Sequence, residues 1–340
     1  MEEKTLQELS EVIQSSNINF LLGAGTSTPF LPLLGGIEKA LNEAMSIEEK
    51  ETQYKEYFSK VMLPNKGIIS NALASDANYN KAVNAYESFF LSLAEILLRR
   101  KSTILSKQIN VFTTNIDILM ETVLEKLQIE YNDGFSGQFT PIFNLANYKK
   151  SIQQRSLHFE HISEIPVFNI IKIHGSLSWK NDKNGDNIIF SHTLEHIDED
   201  LATKTDTAFI DGYKQILVVN PEEAKHLESV LNVYYSELLR MYSSELEKEN
   251  ATLFIVGFSM EDKHIKEITL RAAKANPTLR IFICCSKARK EAMALKMETI
   301  QHPNIQIFTT ENDTDKFTLE YLVENILSVV VRKKLSDKHE

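Results

Sequence analysis

Short apolar runs closed by glycine or polar residues alternate along this chain with stretches whose apolar positions recur every three or four residues. The first run, INFLL (18–22), is stopped by glycine and predicts a buried strand. Strand character returns at INVFTTN (109–115), NIIKIHGS (169–176), KQILVVN (214–220), ATLFIVGFS (251–259), RIFICC (280–285) and NIQIFTT (304–310). Between them, Leu6, Leu9, Val12 and Ile13 predict an amphipathic helix over 4–16, and GGIEKALNEAM (35–45) opens another helical pattern. Residues 38–108 have few β-branched runs, and Val83, Tyr86, Phe89, Phe90, Leu93, Ile96 and Leu97 form one stripe of a helix packed on a core. Helical patterns also follow at 118–127, 227–249, 261–275 and 286–300. Apolar strands alternating with amphipathic helices predict an α/β fold: a mainly parallel sheet with helices on both faces and a helical insertion at 38–108.

Bulk properties narrow the partners more than the fold. The net charge of −10 argues against general affinity for nucleic-acid backbone, which needs clustered Lys and Arg, while leaving room for a local basic channel. The two cysteines, Cys284 and Cys285, are neighbours inside RIFICC; they cannot supply a four-ligand zinc site and read as buried packing. That usage fits a reducing, cytoplasmic compartment. The N-terminal MEEKTLQELSEVIQSS lacks a basic region followed by an apolar core, so no signal peptide is expected there. No apolar run approaches the ~20 residues that span a membrane.

In an open parallel sheet, ligands bind outside the carboxyl ends of the strands. Four predicted strand ends carry polar chemistry: Gly23-Ala24-Gly25-Thr26-Ser27, Thr113-Thr114-Asn115-Ile116-Asp117, His174-Gly175-Ser176 and Gly257-Phe258-Ser259. Parallel strands would place all four on one edge. Gly23 and Gly25 suit either a phosphate-cradling turn or a simple tight turn. A dinucleotide fingerprint wants a third glycine where Thr28 stands. Asn115 and Asp117 read either as site residues or as helix N-caps. His174, beside glycine at a strand end, suits a general base, although a lone histidine is more often structural.

The islands GAGTS, TTNID, HGS and VGFS, in this order, resemble the sirtuin (silent information regulator) superfamily over about residues 17–310. The resemblance implies a single sirtuin-like domain over 1–340. Its Rossmann-like NAD-binding core would comprise 17–37 and 109–320, with the helical insertion at 38–108. It also implies cleavage of the nicotinamide–ribose bond of NAD. Carried onto this chain, Asn115 would orient the ribose or the attacking water, and His174 would act as general base. Asp117 would support Asn115 or the cofactor. Gly23, Ala24, Gly25, Thr26 and Ser27 would hold the diphosphate, and Thr114 would also belong to the cofactor-binding set. Gly257 and Ser259 would lie near the adenosine, and Asp262 would either contact a ribose or cap a helix.

The departures choose the subclass. Protein deacylases of the family carry a four-cysteine zinc module, and this chain has only its adjacent pair, so no structural zinc is expected. The deacylase-type GIPDFR is replaced by TPFLPLLGG. HGSLSW and GFSMED resemble zinc-free bacterial antiphage-defence proteins that hydrolyse NAD. That likeness implies an NAD glycohydrolase restrained by a partner or assembly: a homo-oligomer, or a defence partner such as a HerA-like DNA-translocating ATPase. A nucleotide-sensing subunit, a nuclease subunit and an NAD-dependent deacylase are the competing readings. HTLEH (192–196) formally matches a zinc-peptidase pattern but reads better as a solvated surface helix, and HFEH (158–161) is equally thin as a metal site. Trp179, the only tryptophan, suits packing over the sheet more than bordering the cleft.

Overall fold

In the computed structural model, which describes residues 3–33, 46–100, 104–158, 160–219 and 230–331, seven parallel strands make the central sheet. They are β1 (Asn17–Leu22), β2 (Gln108–Thr113), β3 (Tyr131–Asn132), β4 (Val167–Lys172), β5 (Ala251–Val256), β6 (Arg280–Cys285) and β7 (Ile305–Thr309). Their order is β7-β6-β5-β1-β2-β4-β3, with every neighbouring pair parallel. The α/β class expected from the alternating runs is therefore the observed one. From β1 the chain builds outward through β2 to one side and later through β5 to the other. The strand order therefore reverses between β1 and β5, the kind of switch point beside which open parallel sheets bind ligands.

The central strands read as near-continuous apolar runs because both faces are covered. On one face Ile18, Phe20 and Leu22 pack with α1 (Glu3–Ser15) and with the long helix Ala77–Leu98 that precedes β2. There Phe20, Phe254, Phe282 and Phe308 stack in a row across β1, β5, β6 and β7, with centroids 5.1 Å apart at each step. On the other face Leu21, Phe112, Ile255 and Ile283 meet the helices Val230–Leu246 and Lys263–Ala275. That face also carries a polar row. Asn169 Nδ2 donates to Asn110 Oδ1 (2.8 Å), and Asn110 Nδ2 to Asn19 Oδ1 (2.9 Å) and to Glu245 (3.0 Å). Asn19, Asn110 and Asn169 occupy one register row, so a slip of one residue would break each of these bonds.

Between β1 and β2 the described residues from 46 onward are mostly helical. α2 (Ile47–Tyr57) opens on a Ser46–Glu49 capping box and runs into a π-turn at Phe58–Met62. It is followed by α3 (Pro64–Ile69) and by Ala77–Leu98, now α4. Next come α5 (Leu119–Leu127) after β2 and α6 (Asp206–Tyr213), with Val230–Leu246 and Lys263–Ala275 as α7 and α8 and Lys290–Lys296 as α9. A four-stranded antiparallel sheet (135–136, 142–143, 179–181, 188–190) flanks the β4 side. Trp179 is buried in it against Phe143, at 4.6 Å between centroids.

Two expectations fail. The predicted strand at 214–220 is, over its described residues, a turn after α6 with a single antiparallel bridge between Val218 and Gly175. Its apolar side chains are buried, but its backbone clasps the β4 loop: the Val219 N–H donates to the His174 carbonyl at 2.8 Å. The predicted helix at HTLEH is a series of turns, with Leu194 at φ 52° and Glu195 held by Lys180, Ser191 and Thr193. The helical pattern at 35–45 lies outside the described residues.

Candidate active site

The loops after β1 and β5 touch closely enough to dictate glycine at three positions. The Gly25 N–H donates to the Gly257 carbonyl at 2.9 Å. A Cβ on Gly23 would lie 2.7 Å from the Gly257 oxygen, and one on Gly25 would lie 2.8 Å from the Gly257 Cα. Gly257 itself has φ +65°, and its Cβ would stand 2.7 Å from the Thr26 nitrogen. Gly257→Ala therefore meets a left-handed backbone, worth roughly 1–2 kcal/mol, plus a clash with main chain. Urea denaturation should show a loss above about 2 kcal/mol; a change within about 0.5 kcal/mol would show that the two loops separate freely.

This contact also uses the turn's own donors. The N–H groups of Gly23, Gly25, Thr26 and Ser27 bond to Val256, Gly257, Gly23 and Ala24 carbonyls. The Ala24 N–H has no backbone acceptor among the described residues, and Ala24 is half-buried at the rim.

Beneath the turn lies a buried polar cluster. Thr113, at the end of β2, donates its hydroxyl to the Leu22 carbonyl and accepts the Asn115 N–H, both at 2.9 Å, which turns the chain into TTNID. The Thr114 N–H reaches the Leu22 carbonyl at 3.4 Å. The Asn115 Nδ2 donates towards Gly23 O (3.1 Å), Thr26 Oγ1 (3.2 Å) and Ser27 Oγ (3.1 Å). Its Oδ1 is buried without a hydrogen-bond partner. Ser27 donates to Asp117 Oδ2 at 2.9 Å, while Asp117 Oδ1 accepts the Leu119 N–H at 3.1 Å at the start of α5. Asp117 thus joins helix-end contact and loop support in one carboxylate. Ala24, Ser27, Asn115, Ile116 and Asp117, with Leu31, Pro32, Tyr57 and Val61, line one small cavity.

A second cluster lies past β4 and β5. His174 Nε2 is 3.1 Å from Asp262 Oδ2, and Asp262 Oδ1 accepts the Ile265 N–H at 3.0 Å as the N-cap of α8. Burial, the largest influence, pushes the Asp262 carboxyl up. The hydrogen bond and charge of His174, the Ile265 N–H and the charge of His264 outweigh it and hold the carboxyl below the usual range. The Tyr235 ring stands 6.0 Å from that of His174. Ser259 is exposed, and its carbonyl accepts Lys296 Nζ at 3.1 Å.

Three contributors are absent from the sequence-based set. Tyr86, in the α4 stripe, places its hydroxyl 2.8 Å from Thr26 Oγ1 and 3.3 Å from Ser27 Oγ, tying α4 to the turn. Burial, and then the Asp117 charge, push its phenol well up, so it stays a neutral hydroxyl. Lys172, the last residue of β4, donates to the Asp117 carbonyl and pairs with Glu121 at 3.1 Å; both side chains are buried. Asn65 Oδ1 accepts the Ile118 N–H at 3.0 Å. A tyrosine inside an otherwise apolar stripe and a lysine ending an apolar strand were the available signals, since buried hydroxyls and cations need partners.

A family model described as the SIR2-like domain matches residues 109–308, more than half of the chain. The chain belongs to the SIR2-like family. Comparison with curated proteins gave no match. The SIR2-like span contains Asn115, Asp117, His174, Gly257, Ser259 and Asp262, whereas the glycine turn at 23–27 precedes it and joins the site through the β1–β5 contact. Membership ties the protein to NAD, which SIR2-like domains use as enzymes. Among the described residues, no group of three or more His, Cys, Asp or Glu is placed to hold a metal ion, and no helix is long and apolar enough to cross a membrane. Cys284 and Cys285 are free thiols buried in β6.

Proposed function

We propose that this SIR2-like protein is an NAD glycohydrolase, cleaving NAD with water to nicotinamide, ADP-ribose and a proton. The observation that carries the reading is the Asn115 amide. Its nitrogen is committed to the glycine turn, so its unpaired Oδ1 is a preoriented acceptor beside the cavity at the carboxyl edge of the sheet. Such an oxygen suits the hydroxyl of a ribose or of an attacking water. Nicotinamide leaves from a cationic ring, so the protein's task is chiefly to hold the ribose and favour positive charge at the carbon being attacked. His174, held on Asp262, is the candidate base. The Ala24 N–H of the glycine turn would face the diphosphate, with Gly257 and Ser259 towards the adenosine; Thr26 and Ser27 would serve from beneath, through Tyr86, Asn115 and Asp117.

The biological setting proposed is cytoplasmic antiphage defence by NAD depletion. Uncontrolled depletion would kill the host, so the isolated protein is expected to be weakly active until a homo-oligomer forms or a partner such as a HerA-like ATPase engages it. The Tyr86 contact supports this control, because movement of α4 would reach Thr26 and Ser27 directly. Full activity of a dilute resting monomer would count against it. The decisive experiment follows nicotinamide release from NAD by wild type, Asn115→Ala and His174→Ala. Equal rates in all three, with wild type active, would place the chemistry elsewhere. Formation of acylated ADP-ribose from an acyl-lysine peptide would instead indicate a deacylase.

A further inference from the structure

We propose that Asp262 is a positioning residue that fixes the ring proton of His174 on Nε2, leaving Nδ1 as the atom able to take a proton. This assignment rests on the NAD-hydrolysis reading for its consequence on rate, but its structural content is separate.

Asp262 uses its two oxygens for two different tasks. Oδ1 caps α8 through the Ile265 N–H, and Oδ2 faces His174 Nε2 at 3.1 Å. A capping role alone needs only one of them. An ionised carboxylate only accepts hydrogen bonds, so the ring nitrogen opposite it must be the protonated one. The carboxyl is held below its ordinary range, in keeping with the ionised form. Among the described residues Nδ1 makes no hydrogen bond, while the His174 main chain is pinned by Val219 through its carbonyl. Main chain and ring are thereby set by different neighbours. Asp262 stands at the start of a helix whose Ile265 and Ala272 are buried in the core, so the carboxylate is delivered from a fixed frame. Orienting a histidine through a carboxylate in this way is a general device of base catalysis.

The geometry makes Asp262→Asn a discriminating substitution. Asparagine caps helices as well as aspartate does, and capping requires its oxygen on the Ile265 N–H. Its amide group then faces His174 and donates, so Nε2 must become the acceptor and the proton must move to Nδ1. The fold keeps its cap while the base loses its free lone pair.

The test is nitrogen-15 NMR of the imidazole side chains at about pH 9, well above the ordinary imidazole range, with the His174 signals assigned by their loss in His174→Gln. Wild type is expected to show a protonated Nε2, and Asp262→Asn a protonated Nδ1 with an unchanged thermal midpoint. Nicotinamide release by Asp262→Asn should fall ~10²-fold or more, towards the His174→Ala level. A wild-type ring carrying its proton on Nδ1, or an Asp262→Asn ring that keeps wild-type protonation, would overturn the assignment. So would wild-type turnover in a variant whose tautomer has switched. Should Asp262→Asn fail to fold, Asp262→Ser, which keeps a capping oxygen but no carboxylate, takes its place in the rate comparison, and a wild-type ring protonated on Nδ1 would still overturn the assignment. If the wild type proved inactive on NAD, the hydrolase reading would fall while the tautomer measurement still judged Asp262.

Discussion

Asn115→Ala is expected to lower nicotinamide release by ~10²–10³-fold while leaving the protein folded, the range measured when one preorganised polar group is removed from a reaction centre. That corresponds to about 3–4 kcal/mol of lost transition-state stabilisation. The fold should persist because the partners of the Asn115 amide have others. The Gly23 carbonyl still accepts the Thr26 N–H and hydroxyl, and Ser27 still donates to Asp117. The stability cost is therefore about 1 kcal/mol, the ordinary net value of a hydrogen bond. Rate and stability should separate: a Tm near wild type with turnover almost gone, and little rescue at saturating NAD. An equal fall in both would make Asn115 a mere brace for the turn.

The largest stability effect is expected from Lys172→Met. Lys172 and Glu121 pair at 3.1 Å inside the core, and the Lys172 ammonium also holds the Asp117 carbonyl. Removing one member of a buried pair strands the other charge, at a cost of about 3–5 kcal/mol. The pH dependence gives a signature. Burial first pushes the Glu121 carboxyl up, and Lys172, the backbone and the Asp117 charge modify that rise, with Lys172 opposing it. A carboxyl raised in the native state binds more protons there than when unfolded, so its contribution is full below the unfolded value near 4.5 and is lost as pH rises through the native one. Without Lys172 the native value climbs further and the window widens. Denaturation across pH should thus show the defect of Lys172→Met greatest near neutrality and shrinking, relative to wild type at the same pH, as pH falls towards about 4.5. Adding Glu121→Gln should restore much of the loss at pH 7, because no charge is then left unpaired. A pH-independent defect would mean that Lys172 acts through packing alone.

What could be read in advance followed the reach of local patterns. Strands β1, β2, β4, β5, β6 and β7 appear as apolar runs because both faces of the sheet are covered, and the α4 stripe appears because one side of that helix faces the core. The run at 214–219 misled for the same reason. Ile216, Leu217, Val218 and Val219 are as buried as strand residues, but that burial comes from lying across the β4 loop, and among the described residues one bridge is all the sheet pairing the run makes. HTLEH misled because a histidine spacing of four is helical only if the backbone is, and Leu194 sits in the left-handed region.

The polar residues at strand ends were visible as residues, and their order carried the resemblance that the SIR2-like match sustains. Their duties were not visible. Which donors of the glycine turn are already spent, which Asn115 atom stays unpaired, and that Asp262 faces His174 all depend on contacts between segments far apart in the chain, from 88 positions for Asn115–Ser27 and Asp262–His174 to more for Gly25–Gly257. The sequence by itself determined the alternation of buried runs and amphipathic helices, because hydrophobic periodicity is a property of neighbours along the chain. Only the tertiary structure decided how the polar groups pair. Hydrogen bonds depend on fractions of an ångström between distant segments, and parallel strands, joined by long crossovers, bring those segments together without leaving a local trace.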